Sequence, residues 1–248
     1  MQLKEKIAII TGGAGGIGAG LVRSFVNEGA KVLFVDINEE KGRALEKELS
    51  GNAKFIKEDL ASVDMEKRIL EAVLEHFNGS LHILVNNAQA STPKLLLDTE
   101  QSDLDLSFNT GLWPTWKLMR ACYEKLKESK GSIINFASGT GLLGLVTHGA
   151  YSMNKEAIRG LTRTAANEWG GVGIRVNVVC PGAASEGFIK WRESNKEQAL
   201  ELESKVPLGR VGDIVHDIAP VIVFLASDSS QYITGQTIMA DGGSIMLR

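Results

Sequence analysis

Seven short runs rich in β-formers recur along the chain, at 6–10, 31–36, 53–59, 81–86, 132–138, 174–180 and 236–241, with longer segments between them. Ile69, Val73 and Phe77 recur every four residues on one such segment, and Leu21 and Phe25 on another, which Gly29 ends. That spacing is helical. Strands alternating with helices build βαβ units, which set their strands in parallel and cover both faces of the sheet. No linker, repeat or low-complexity tract breaks the alternation. The fold class read from this is α/β: a single doubly wound domain over 1–248, on a parallel seven-stranded sheet with helices on both faces.

"TGGAGGIG" at 11–18 follows the first apolar run and opens the first helix. Glycines there let the chain turn tightly and let phosphate oxygens reach backbone N–H groups at a helix N-terminus. In a strand–turn–helix setting this is the pyrophosphate turn of a Rossmann sheet. Gly13, Gly15 and Gly18 fit G-x-G-x-x-G, while Gly12, Gly16 and Gly18 fit T-G-x-x-x-G-x-G; the run alone does not choose. Asp36 ends the second run, 18 residues after Gly18. A carboxylate there accepts from both adenosine ribose hydroxyls and repels a 2′-phosphate. Residues 11–18 hold no Arg or Lys, and the first basic residue after Asp36 is Lys41. NAD is therefore expected over NADP.

Charged residues make up 23% of the chain, the formal net charge is −3, and no arm is basic. Nucleic acid is not an expected partner. Cys122, Cys180 and the four histidines show no metal-ligand spacing, so no metal is expected. The N-terminal "MQLKEK" is unlike a signal peptide, and no apolar run reaches the ~18 residues of a membrane helix. A cytoplasmic protein with reduced thiols is expected, with no membrane contact.

"GAYSMNK" at 149–155 sets Tyr151 and Lys155 four apart, on one face of a helix. A free phenol, with a pKa of about 10, is a poor acid–base at neutral pH. A nearby ammonium favours the phenolate, and an oxidised nicotinamide would push the same way. The pair is thus a candidate general base for an alcohol.

With these motifs in order, the whole chain resembles the short-chain dehydrogenase/reductase family. "TGGAGGIG" matches its T-G-x-x-x-G-x-G and selects Gly12, Gly16 and Gly18. "NNA" at 86–88, "NVVCPG" at 177–182 and "ITGQTIMADGG" at 233–243 match further segments, and Ser138 precedes Tyr151 by the usual 13 residues. The resemblance implies an NAD(H)-dependent interconversion of a secondary alcohol and a ketone. In it Tyr151 is the general acid/base. Lys155 holds the nicotinamide ribose and lowers the Tyr151 pKa, and Ser138 orients the substrate oxygen. Asn109 binds, at a helix kink, a water that links Lys155 to solvent. It implies cofactor contacts at Gly12, Gly16, Ile17, Gly18, Asp36, Asp59, Leu60, Asn87, Ala88, Pro181, Gly182 and Ala184, besides Tyr151 and Lys155. Residues 1–135 are then mainly the cofactor half. Residues 136–248 are the catalytic and substrate half, with a lid over about 183–210.

Two positions depart from the family pattern. Gln89 stands where N-N-A-G has glycine, and Glu186 stands where P-G-x-x-x-Thr has a hydroxyl, which Ser185 supplies only if the loop shifts by one. Gln89, Thr140, His148, Phe188 and Trp191 are the candidates for the substrate pocket. No Arg cluster awaits a carboxylate or phosphate, which favours an uncharged substrate. The resemblance also implies a homotetramer built on helices over roughly 102–129 and 149–170. Alternatives are an NADPH-dependent 3-oxoacyl-type reductase and a silent NAD-binding regulator.

Overall fold

The structure, a computed structural model, describes residues 1–184 and 186–247, without the side chains of Glu186 and Lys190. Its strands are β1 (Ile7–Thr11), β2 (Lys31–Asp36), β3 (Ala53–Lys57), β4 (Ile83–Asn86), β5 (Ser132–Phe136), β6 (Arg175–Pro181) and β7 (Thr237–Ala240). All pair in parallel in one sheet, in the order β3-β2-β1-β4-β5-β6-β7. This is the expected doubly wound α/β architecture. The helices are α1 (Gly16–Asn27), α2 (Glu39–Glu48), α3 (Met65–His76), α4 (Gln101–Thr110), α5 (Leu112–Ala121), α6 (Tyr123–Ser129), α7 (Gly139–Leu143), α8 (Gly149–Trp169), α9 (Glu186–Ser194), α10 (Lys196–Ser204) and α11 (Ala219–Ala226).

The central strands are largely apolar because both sheet faces are covered there. Alternate residues go to opposite cores. Ala8 and Ile10 of β1 pack with Leu21, Val22 and Phe25 of α1 and with α11. Ile7 and Ile9 pack on the other face with Ile69 and Val73 of α3 and Leu118 of α5. One polar seam crosses this interior. Asn86 Nδ2 donates to Asn135 Oδ1 at 2.8 Å, and Asn135 Nδ2 donates to Thr162 Oγ1 at 2.9 Å. The seam ties β4, β5 and α8 together.

The continuous helix read over 102–129 is three helices. It breaks at Gly111 and again at Cys122. Gly111 sits at φ −116°, ψ −80°, outside the helical region, and ends the α4 hydrogen-bond ladder. The α8 segment runs to Trp169 and ends in a single tight turn at Gly170–Val172.

Chain order reverses between β1 and β4, since β2 and β3 lie on one side and β5 to β7 on the other. A crevice opens at the carboxyl ends of such strands. Its floor is the glycine turn. Gly12 and Gly16 have φ +65° and +51°, which L side chains adopt poorly. A Cβ at Gly18 would overlap the Gly12 carbonyl oxygen. Thr11 Oγ1 accepts from the N–H groups of Asn87 and Ala88 at 3.0 and 3.1 Å, so β4's loop is pinned to the turn.

Gly18→Ala is therefore expected to cost about 1–3 kcal/mol by overpacking the turn. Gly160→Ala, inside α8 with open space around it, should be neutral or stabilising by up to about 1 kcal/mol. Urea denaturation of both variants checks this, and equal effects would contradict it.

Candidate active site

The crevice is a cleft of about 520 Å³ walled by Gly12, Gly15, Gly16, Ile17, Asp36, Asp59, Leu60, Asn87, Ala88 and Gln89, among others. Asp36 closes β2 with both carboxylate oxygens engaged. Oδ2 accepts from Ala14 N–H and Oδ1 from Asn38 N–H, each at 3.0 Å. The charge thus sits against the glycine turn and holds its shape. Among the described residues, the walls carry Asp36, Glu58 and Asp59 and no Lys or Arg. Glu58 is engaged by Arg68 at 2.8 Å, and its carboxyl lies below the ordinary value, chiefly through that bond. Asp59 is exposed and accepts from Ala61 N–H, while Leu60 beside it is buried.

Ser138, Tyr151 and Lys155 come together at the end of β5. Ser138 leaves the strand and caps α7, its hydroxyl accepting from Thr140 N–H at 3.1 Å. Tyr151, a half-buried residue, has the Ser138 side chain as its polar neighbour, which pulls the phenol pKa down. Lys155 is only 4% exposed. Its Nζ donates to the Phe136 carbonyl at 2.9 Å and lies 5.6 Å from the centre of the Tyr151 ring. Burial pushes the Lys155 amine down to about 7. Burial also raises the Tyr151 phenol, against the opposing pull of the Ser138 side chain. The lowered phenol pKa implied for Tyr151 is thus reversed in the chain alone: low polarity disfavours both charged forms. Chemically, the cluster is a phenol able to exchange a proton with an oxygen held by Ser138, above an amine that titrates near neutrality.

This cluster lies outside the cleft walls, past the Gln89 end. Gln89 Nε2 donates to Ser107 Oγ at 3.1 Å, and Ser107 Oγ donates to the Ala150 carbonyl, next to Tyr151, at 3.2 Å. His148 is set against Tyr151, the rings edge-on with centroids 6.2 Å apart. A bridge between Lys94 and His148 brings the segment before α4 beside the loop after α7. Leu96, Leu143, Leu145 and Val146 in these segments are exposed. On α9, the Phe188 and Trp191 rings lie 5.8 Å apart. The region expected to form the lid holds two helices, α9 and α10.

Asn109, Ala184, Pro181 and Gly182 stand apart from the cleft walls. Asn109 lies on the exposed side of the last turn of α4, and the helix break falls two residues later at Gly111. The N–H of Ala184, one of the expected cofactor contacts, donates to Gly212 O at 3.0 Å, because 183 and 212 form a bridge; the neighbouring Ala183 lines the cleft. Pro181 and Gly182 lie outside the cleft walls, Gly182 N–H closing on Ala240 O at 2.8 Å. Ser185 and the Glu186 side chain lie outside the described residues. Ile37, Thr110 and Ile214, which carry no motif in the sequence, also line the cleft. Ile37 adjoins Asp36 and was legible by position; Ile214 arrives from a distant turn and was not.

A family model described as enoyl-(acyl carrier protein) reductase matches residues 12–244. The chain is 40% identical to a 12alpha-hydroxysteroid dehydrogenase from Clostridium sp., over 96% of each chain. It is 36% identical to a 3-alpha-(or 20-beta)-hydroxysteroid dehydrogenase from Mycobacterium tuberculosis, covering 98% of this chain and 91% of the relative. It is also 36% identical to the 3-oxoacyl-(acyl-carrier-protein) reductase FabG of Thermotoga maritima, over 99% and 100%. Among solved structures, Cj0485 dehydrogenase superposes with a TM-score of 0.91 at 30% identity, covering 100% of this chain and 98% of that one.

The buried amine has a measurable signature. Lys155 is held near 7 when folded against an ordinary 10.5. The unfolded chain therefore binds the extra proton between those values, so this residue's penalty is full below pH 7 and fades as pH rises through the window. Lys155→Met should be more stable than wild type at pH 6.5, by an amount on the order of a few kcal/mol. The gap should shrink by pH 10. A gap independent of pH in denaturant titrations would contradict the burial of a titrating amine.

Proposed function

Because the chain belongs to the short-chain dehydrogenase/reductase family, we propose that it is an NAD(H)-dependent oxidoreductase that interconverts a secondary alcohol and a ketone, with Tyr151 as general acid/base. The carrying observation is the Ser138–Tyr151–Lys155 cluster, with its amine buried under the phenol. The residues present fit a dinucleotide. The glycine turn offers backbone N–H groups at the start of α1, and the cleft runs from there past Asp36 to Gln89. When bound, the nicotinamide supplies or takes up the hydride.

Each side chain then has a defined task. Asp36 retains unused lone pairs for the adenosine ribose hydroxyls. The Leu60 face and Ile17 enclose the adenosine. Ser138 holds the substrate oxygen, and Tyr151 gives it a proton in reduction or takes one in oxidation. Lys155, in its ammonium form, lowers the Tyr151 pKa and bonds the nicotinamide ribose. The pair titrates as a unit, so an apparent pKa from a rate profile belongs to both residues.

NAD preference follows from electrostatics. Asp36 and Asp59, with no cation among the described residues of the cleft walls, oppose a 2′-phosphate. For the substrate, the exposed Leu96, Leu143, Leu145 and Val146 and the Phe188–Trp191 pair support an alcohol carried on a bulky apolar frame. The hydroxysteroid dehydrogenases among the similar proteins favour the same class.

The test is kcat/KM with NAD(H) and NADP(H) over a panel of alicyclic alcohols and ketones and a 3-oxoacyl thioester. NAD(H) should be preferred on an alicyclic substrate. Asp36→Ala should narrow the preference by about tenfold or more, as loss of hydrogen bonds from a charged group implies. An NADPH preference on the thioester would instead establish the acyl reductase reading.

A further inference from the structure

Two side-chain amides, Gln89 and Asn154, converge on Ser107, and each leaves its oxygen buried without a partner among the described residues. Asn154 is fully buried on α8, one turn beyond Tyr151 and directly before Lys155 in the chain. Its Nδ2 donates to the Ser107 carbonyl at 2.5 Å. The amide fills the break between α4 and α5. A Cβ at Gly111 would sit 2.6 Å from Asn154 Oδ1 and 2.7 Å from Nδ2, so a side chain at 111 would unseat it. From the cleft side, Gln89 reaches Ser107 Oγ, and Ala90 N–H bonds Thr110 Oγ1 at 2.9 Å.

Packing alone does not account for this. A buried polar atom left unpaired costs on the order of 1–3 kcal/mol, and an apolar residue would fill the same space more cheaply. What the amide adds is direction: its bond fixes how α8 is rotated against the break. Rotating α8 moves Tyr151 and Lys155 together.

We propose that Asn154 is a positioning residue for the Tyr151–Lys155 pair, with Gly111 as its necessary counterpart, and that Ser107 and Gln89 couple this unit to the cofactor loop. The proposal rests on the reading of Tyr151 and Lys155 as the proton-transfer pair. A shift of about 1 Å in such a pair lowers the rate by roughly a hundredfold while binding survives.

A double-mutant cycle tests it, using Gly111→Ala, Asn154→Ser and the two combined. The readouts are single-turnover hydride transfer and the NAD dissociation constant. Gly111→Ala should slow transfer by about tenfold or more with NAD affinity within about threefold. In the double variant the shorter side chain introduced by Asn154→Ser should make room for the added methyl. The double variant should then be faster than Gly111→Ala alone by at least about threefold, a coupling typical of touching residues. Rate effects that simply multiply would overturn the proposal, as would a loss of NAD affinity as large as the loss of rate. If Gly111→Ala does not fold, Asn154→Ala decides: slowed transfer with intact NAD binding supports the proposal, and an unchanged rate overturns it. A wild type that binds NAD but transfers no hydride across the substrate panel would overturn the dehydrogenase reading and this inference with it. An active wild type with independent substitutions overturns this inference alone.

Discussion

Lys155 donates to the Phe136 carbonyl from a place with almost no solvent, directly beneath Tyr151. An unpaired ammonium there would be costly, so the site holds an amine that titrates near neutrality. The surrounding architecture serves that contact. β5 ends at Phe136, which leaves its carbonyl pointing at the amine. The Asn86–Asn135–Thr162 seam holds α8 against the sheet. The helix is thereby fixed in depth by the seam and in rotation by its first turns, where Ala150 and Asn154 meet Ser107.

The cleft obeys a different logic. Its glycine turn is shaped from below by packing and from the side by Asp36, which accepts from both Ala14 and Asn38. One carboxylate therefore organises the loop and sets the charge that, in the proposed reaction, selects among nucleotides. The loop carrying Gln89 joins the two regions. It is pinned to Thr11 at one end and to Ser107 and Thr110 at the other.

Much of this was legible in the chain. Strands buried on both faces must be apolar runs, and all seven appear where such runs lie, shortened where polar ends such as Asp59 turn away. The glycine turn was visible because no side chain fits it. Tyr151 and Lys155 met because helical spacing is fixed locally. What stayed hidden depends on distant partners. The break at Gly111 becomes meaningful only once Asn154 fills it, and Asn154 reads in sequence as an ordinary polar residue of a helix. Asn109 looked equally suited, since burial is decided by the α8 face that α4 meets. The engagement of the Ala184 N–H required Gly212, far along the chain.

The most direct measurement is single-turnover alcohol oxidation by Tyr151→Phe, after NAD binding has been confirmed by titration. The substitution keeps the ring beside His148 and removes the hydroxyl that carries the exchangeable proton. Hydride transfer should fall at least about a hundredfold, the range of general acid–base catalysis, with NAD affinity retained. Near-normal transfer would contradict the account and remove Tyr151 from the chemistry.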